Sequence, residues 1–425
     1  MSKKTIQKPR GTQDILPQDQ KYWDFIVGAF SGSALNAGFK RIITPTFEDT
    51  ALFERGVGSG TDIVEKEMYT FKDRSENSIT LRPEGTAPVV RAYLEDGFVA
   101  EPHPVKFYYI NSTFRYERPQ AGRFREHHQF GAEIIGDGNP LLDVEIISMA
   151  WRTYKALGLS NISLQLNSIG CVACRPQYLR SLKNYYKEHA KLICEDCAKR
   201  LEKNPLRLLD CKENACMALA EEAPQLINAL CPDCHDHFRT ILELLDDLQI
   251  PYNLNTKIVR GLDYYTRTVF EVWFQVEGFG SQNAIGGGGR YDLLVEMLGG
   301  KPTPGVGFGV GIERLMLALK QEGVNVPELN LPKIYVAQLG DAARKQAFIL
   351  AQDLLNEGMP VVGKFDKMSV GEQLREASEL KVPYAIIIGQ KEVINSTVII
   401  KDMYTGFQEI IPTDKAVSEI IKRLM

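Results

Sequence analysis

Four arginines, two interior glutamates and a Pro-Gln-Ala-Gly tip stand between Phe114 and Phe130. The apolar run Val105–Ile110 feeds this stretch and Phe130–Ile135 leaves it. That pattern predicts two antiparallel strands joined by a charged loop. Arginine is a permanently charged, planar donor that grips phosphate with two nitrogens at once. A hairpin aiming several guanidiniums inward is a candidate polyphosphate site. Taken alone, the run also fits a solvated hairpin laced by surface ion pairs.

A second chemistry sits further along. All eight cysteines fall between 171 and 234, as Cys171-x2-Cys174, Cys194-x2-Cys197, Cys211-x4-Cys216 and Cys231-x2-Cys234. In a cytosolic chain such short-spaced pairs read as zinc ligands rather than disulfides. Zinc takes four soft ligands in a tetrahedron, and two short Cys turns supply them. One or two sites fit, and the spacing leaves the pairing open. Joining the first and last pairs would tie the two ends of the block together and leave the middle pairs for an internal site. The alternative is eight reduced thiols, some of them buried.

The elements that must position these residues follow from periodicity and breakers. Helical spacing over 18–37 ends at Gly38, and a strand at 41–44 is broken by Pro45, which suits an edge or an interface. Strands at 65–71 and 78–82 precede helices at 86–97 and 140–157. The block 171–247 is rich in Cys, Lys, Glu and Leu and reads as an inserted helical domain. Strands return at 252–255 and 269–274, followed by Gly286–Gly289 and by a Gly-x-Gly-x-Gly stretch at 305–311 that opens a helix at 312–319. After a linker near 327–332, strands at 334–337, 360–362, 384–388 and 397–400 alternate with helices at 341–357 and 369–380. That alternation predicts a small α/β domain with a mixed or parallel sheet.

Composition bounds the class. The chain has 425 residues and a net charge of −4, enough for two or three soluble domains. No apolar run is long enough to span a bilayer, and the start is polar, so a cytoplasmic location and no membrane partner are expected. The negative total does not exclude nucleic acid, because a local basic groove suffices.

Five segments in this order resemble one family. They are the strand ending at Pro45, Phe114-Arg115-Tyr116-Glu117, Arg260-Gly261-Leu262-Asp263-Tyr264-Tyr265-Thr266-Arg267, Gly286-Gly287-Gly288-Gly289-Arg290-Tyr291-Asp292 and Gly305–Arg314. Together with the lead-in at 8–17 and Leu81–Thr86, they are similar to the motifs of the class II aminoacyl-tRNA synthetases, and of the histidyl-tRNA synthetase family within them.

The resemblance implies an α+β fold: an antiparallel-sheet catalytic domain (1–170 and 248–325), a helical cysteine-rich insertion (171–247) and a C-terminal α/β anticodon-binding domain (332–425). It implies ATP-dependent attachment of L-histidine to tRNA(His) through a histidyl-adenylate, by a homodimer that takes ATP with Mg. Arg115 would hold the α-phosphate, opposite Arg260 as the catalytic arginine. Glu117 would read the adenine, Arg123 would lie on the outer phosphates, and Phe130 and Arg314 would face the adenine from either side. Glu84 and Thr86 would hold the α-amino group of histidine and Gln129 its carboxylate side, with Arg115 and Arg260 counted among its contacts. Glu133 and Tyr265 would meet the imidazole, which offers two ring nitrogens to satisfy, and Tyr264 and Tyr291 would complete the wall. Arg118 and Gln120 would face the tRNA acceptor stem.

The cysteine block is not general to the family, and the C-terminal domain is only modestly basic, with Lys364, Lys367, Arg375 and Lys391. Two other readings compete. A regulatory subunit of ATP phosphoribosyltransferase shares the catalytic fold without ligase activity, but such chains lose the arginines and the C-terminal domain that are kept here. A zinc-stabilised nucleic-acid-binding protein would explain the cysteines and leave the arginine and glycine segments unexplained.

Overall fold

The computed structural model describes residues 5–119, 122–211, 213–279, 283–328, 331–366 and 368–424. Gln120 and Lys367 lie outside them. The chain divides into two compact units, Met1–Val326 and Pro327–Met425.

The first unit is built on an eight-stranded sheet. Its order is Lys40–Arg41, Val105–Phe114, Glu126–Ile135, Gly305–Gly311, Ala284–Arg290, Thr266–Phe274, Ile162–Ser168 and Tyr252–Leu254. The six inner strands are antiparallel, and only the two edge strands pair in parallel. One face is covered by helices Gln20–Asn36, Pro140–Ala156 and Ile312–Glu322, whose Phe30, Tyr154 and Leu315 are fully buried with Phe130 and Phe308 of the strands.

Several elements differ from expectation. The hairpin arms run further into the charged stretch than predicted, so residues 126–129 are strand and the loop shrinks to 115–125. The strand before Pro45 leaves the sheet after Arg41. The buried Arg82 guanidinium takes the Thr44 and Pro45 carbonyls at 2.8 and 2.9 Å, so they do not join a ladder. Residues 63–67 form a wide helical turn, and the strand expected at 65–71 begins only at Tyr69.

The cysteine block carries helices Arg175–Glu188, Glu195–Lys203, Asn214–Glu222 and Pro232–Asp247. The last behaves differently from the others. Its Phe238, Ile241 and Leu245 are buried in the main core. Its buried His237 lies 3.4 Å from Asp143, which also pairs with the fully buried Arg290 at 2.6 Å.

The second unit has a five-stranded mixed sheet. Strands Val361–Val362, Ile334–Gln338 and Tyr384–Ile388 are parallel, while Thr397–Asp402 and Gln408–Pro412 add antiparallel. The strand at 408–412 and the helices Gln390–Asn395 and Ala416–Leu424 were not expected, although the last carries apolar residues at helical spacing (Ala416, Ile420, Leu424). Among the described residues, no helix is long and apolar enough to cross a membrane.

Candidate active site

The register of the inner strands places the chemistry. Glu133 pairs with Gly307, Gln129 with Gly311, and Gly287 with both Gly309 and Glu271. Side chains alternate along a strand, so Gln129 and His127 share one face. That face opens into a cleft of about 670 Å3. Arg115, Arg123, Arg260 and Arg314 converge on it, with Glu117 and Gln129.

Each of these four guanidiniums rests on a neighbouring oxygen. Arg260 Nη1 donates to Glu271 Oε1 at 2.6 Å, and Arg115 Nε donates to the Pro83 carbonyl at 2.8 Å. Arg123 Nε lies 3.0 Å from Glu117, and Arg314 donates to the carbonyls of Gly122 and Ala284. Arg260 Nε is buried without a hydrogen-bond partner, as is His127 Nδ1. Orphaned polar atoms facing a cleft are a mark of a ligand site.

Beyond the residues that line the cleft, buried carboxyls and hydroxyls gather around Glu133 and Glu84. Glu133 accepts from Thr86 Oγ1 at 2.8 Å, Tyr109 OH at 3.0 Å and Tyr291 OH at 2.7 Å. Glu84 accepts from the backbone N–H groups of Thr86 and Ala87, both at 2.7 Å, and from Tyr264 OH at 3.2 Å. Glu84 thereby caps helix Thr86–Glu95. Tyr264 packs against Tyr265 and Tyr291, and Tyr265 lies under Arg260 at 5.6 Å. Burial raises the pKa of both carboxyls, and that of Glu133 reaches about 8. A Cβ on Gly307 would collide with the Glu133 carboxylate, so the glycine strand is what leaves room for that acid.

Phe130 is a correction. It is buried against Phe30, Tyr108 and Phe308, on the core face of the sheet. Its neighbour Gln129 faces the cleft, so alternation forces Phe130 away from it. On that strand the ring that lines the cleft is His127. Burial first, then Arg115 and Arg314, lower its pKa to about 3 and keep it neutral. Phe124, Glu271, Trp273 and Glu313 also line the cleft and were missed. Glu313 is engaged already, accepting from the His128 backbone N–H and lying 2.7 Å from its ring nitrogen. Arg118 is exposed on the loop, outside the cleft lining.

The cysteines gather in two sets, Cys171/Cys174/Cys231/Cys234 and Cys194/Cys197/Cys211/Cys216, with all sulfurs of a set within 4.8 Å of one another. Sulfur separations of 3.7 Å (Cys171–Cys174), 3.8 Å (Cys171–Cys231) and 3.8 Å (Cys194–Cys211) fit one ion. A tetrahedron with metal–sulfur bonds of about 2.3 Å has edges of about 3.8 Å. Backbone N–H groups of Ala173, Cys231, Cys194 and Cys197 point at sulfurs. Helices begin just after Cys174, Cys194 and Cys231, and helix N-termini favour thiolates.

A family model described as histidyl-tRNA synthetase matches residues 11–315, and one described as anticodon binding domain matches residues 333–423. The histidine–tRNA ligase of Dehalococcoides mccartyi is 50% identical over 418 residues, covering 98% of this chain and 100% of that one. That of Pelotomaculum thermopropionicum is 47% identical, covering 96% and 95%. The apo histidyl-tRNA synthetase structure from S. aureus superimposes with a TM-score of 0.82 at 35% identity, covering 98% of this chain and 99% of that one.

Proposed function

Because the chain belongs to the histidyl-tRNA synthetase family, we infer that its cleft and pocket divide the work of charging tRNA(His) with histidine. The observation that carries the division is the convergence of four guanidiniums on one cleft with a carboxylate–hydroxyl pocket behind it. A histidine carboxylate oxygen attacks the α-phosphorus of ATP, the bond to the β-phosphate bridge breaks, and diphosphate leaves. The terminal ribose hydroxyl of the tRNA then attacks the adenylate carbonyl and AMP leaves. ATP arrives as its magnesium salt, so that cation belongs to the substrate.

In this reading Arg115 and Arg260 bracket the α-phosphate. Arg260 gives up Glu271 for phosphate oxygens as charge builds there. Arg123 takes the outer phosphates, and Glu117 reads the adenine between His127 and Arg314. Glu133 and Tyr265 meet the imidazole, with Tyr264 and Tyr291 as walls. Glu84 and Thr86 hold the amino group, and Gln129 the carboxylate. Arg118 and, by the resemblance, Gln120 address the acceptor end. The C-terminal unit reads the anticodon. Ile43, Phe47 and Phe71 expose apolar surface, which suits a homodimer. Each four-cysteine set holds one zinc ion.

Histidine-dependent ATP–diphosphate exchange together with charging of tRNA(His) tests the whole. A chain without exchange would instead fit a regulatory subunit. Removal of residues after 330 should spare exchange and abolish efficient charging. Ultracentrifugation checks the dimer.

A further inference from the structure

The inner cysteine set sits on the rim of the cleft, with Cys194, Asp196, Arg200, Arg207, Asp210 and Cys211 among the lining residues. Between Cys197 and Cys211 the chain forms the end of helix Glu195–Lys203 and a tight turn, Pro205–Leu208. Four of its side chains reach the catalytic body. Arg200 and Arg207 lie 3.3 and 3.5 Å from Asp62, and Lys203 lies 2.6 Å from Glu65. Asn204 Nδ2 donates to Asp263 Oδ1 at 2.7 Å. Asp263 is three residues from Arg260, and its backbone N–H donates to the Val57 carbonyl at 3.0 Å.

This segment cannot hold its shape alone. Its helix has 9 residues, and isolated helices shorter than about 12–15 residues are marginal in water. Leu201, Leu208 and Leu209 anchor it in the core of the insertion, and the four gathered sulfurs bracket it at both ends.

We propose that the ion held by Cys194, Cys197, Cys211 and Cys216 fixes residues 198–210 as a clasp at the cleft mouth, and that Asn204 and Arg207 of this clasp position the Arg260–Asp263 loop for amino-acid activation. The proposal rests on zinc occupying the inner set. It assigns to the insertion a part in the first chemical step, before any tRNA is bound. Asn204 and Arg207 are positioning residues: they act through Asp263, Asp62 and the loop that carries Arg260.

The test compares two variants of the full-length protein with the parent. Cys211→Ser dismantles the inner set. Asn204→Ala/Arg207→Ala leaves all eight thiols and removes the Asn204–Asp263 and Arg207–Asp62 contacts, while Arg200–Asp62 and Lys203–Glu65 remain. Metal content, amide hydrogen exchange and histidine-dependent ATP–diphosphate exchange are measured on each. The parent is expected to hold two zinc ions per chain. Cys211→Ser should lose one ion and lose amide protection over both 198–210 and 258–265. Its kcat should fall about a hundredfold, the scale of an ångström-level misplacement, with a much smaller change in the KM for ATP. The double variant should keep both ions and the protection of 198–210, yet lose protection at 258–265 and kcat. Should Cys211→Ser fail to fold, Cys171→Ser, which leaves only the inner set, is chelated and then restored with zinc and not magnesium, and is read in the same way.

A parent without tightly bound metal, or with iron alone, would remove the zinc reading and with it the ion's role. The double variant would then still report on the clasp contacts. Loss of the inner ion with 258–265 still protected and kcat unchanged would overturn the proposal while leaving zinc binding intact.

Discussion

The cleft and the pocket behind it handle charge in opposite ways. In the cleft, arginines stay partly open to solvent and rest on carboxylates and carbonyls that an incoming phosphate can displace. In the pocket, two carboxyls are sealed from water and saturated by hydroxyl and amide donors. A polyanion is best met by permanent cations already held in place by oxygens that it can displace. A small ring with two nitrogens is best sorted by fixed dipoles that punish a wrong partner. One sheet supports both, because alternation and strand register send neighbouring residues to different environments.

Breaking the cleft should have the largest effect. Arg260→Ala should reduce ATP–diphosphate exchange by about 3–4 kcal/mol of transition-state stabilisation, the cost of losing one preorganised donor. Histidine binding in equilibrium dialysis should change little. Exchange near the parental rate would show that Arg260 does not meet developing charge.

Breaking the pocket should be milder and confined to one substrate. Glu133→Gln should cost histidine about 1–3 kcal/mol, the range for a buried group left mismatched, while ATP binding is retained. An equal loss for both substrates would take Glu133 out of the histidine pocket.

Acidity sharpens the contrast. The Glu133 carboxyl has its pKa raised from 4.5 to about 8. Its contribution to folding is fully present below about pH 4.5 and is lost as pH rises through about 8. Its ability to accept from an imidazole N–H grows as the carboxyl ionises in the folded protein, around pH 8. The kcat/KM for histidine should climb toward pH 8 in the parent and flatten in Glu133→Gln. A parental profile that survives the substitution would assign the rise to another group.

The smallest effect is expected at His127. With its pKa lowered to about 3, the ring stays neutral across the working range and serves as an apolar plane. His127→Ala should raise the KM for ATP by about 0.5–1.5 kcal/mol, an aromatic contact's worth, with no new pH dependence between 5 and 8. Substituting Phe130, by contrast, should lower stability and leave the KM for ATP unchanged.

Phe130 and His127 also mark how far the sequence could be read. The arginine hairpin, the glycine strands and the α/β alternation were legible because each has a local signature. Which ring of the strand Glu126–Ile135 lines the cleft was not, since a resemblance by motif does not state strand parity. Yet Gln129 and Phe130 are adjacent on one strand and cannot both face the cleft. Parity alone would have pointed to His127. The two cysteine sets were legible as spacing, and the union of the first and last pairs followed from closing the block. The docking of residues 198–210 on Asp62, Glu65 and Asp263 was invisible, because such contacts join segments far apart in the chain. The small elements at 390–395 and 408–412 were too short to show a period.

Helix Pro232–Asp247 limits how freely the cysteine block could be exchanged between proteins. Its 16 residues make a rod about 24 Å long. Cys234 sits in its first turn, and the next turn already carries His237 and Phe238 into the main body. A cassette cut after Asp247 would take a wall of the sheet's packing with it. A cut placed before Phe238 would leave Cys234 about one turn from the splice and Cys231 about two. Any replacement block must end in a helix of the same phase, with its last sulfurs one turn ahead of the residues that fill the core.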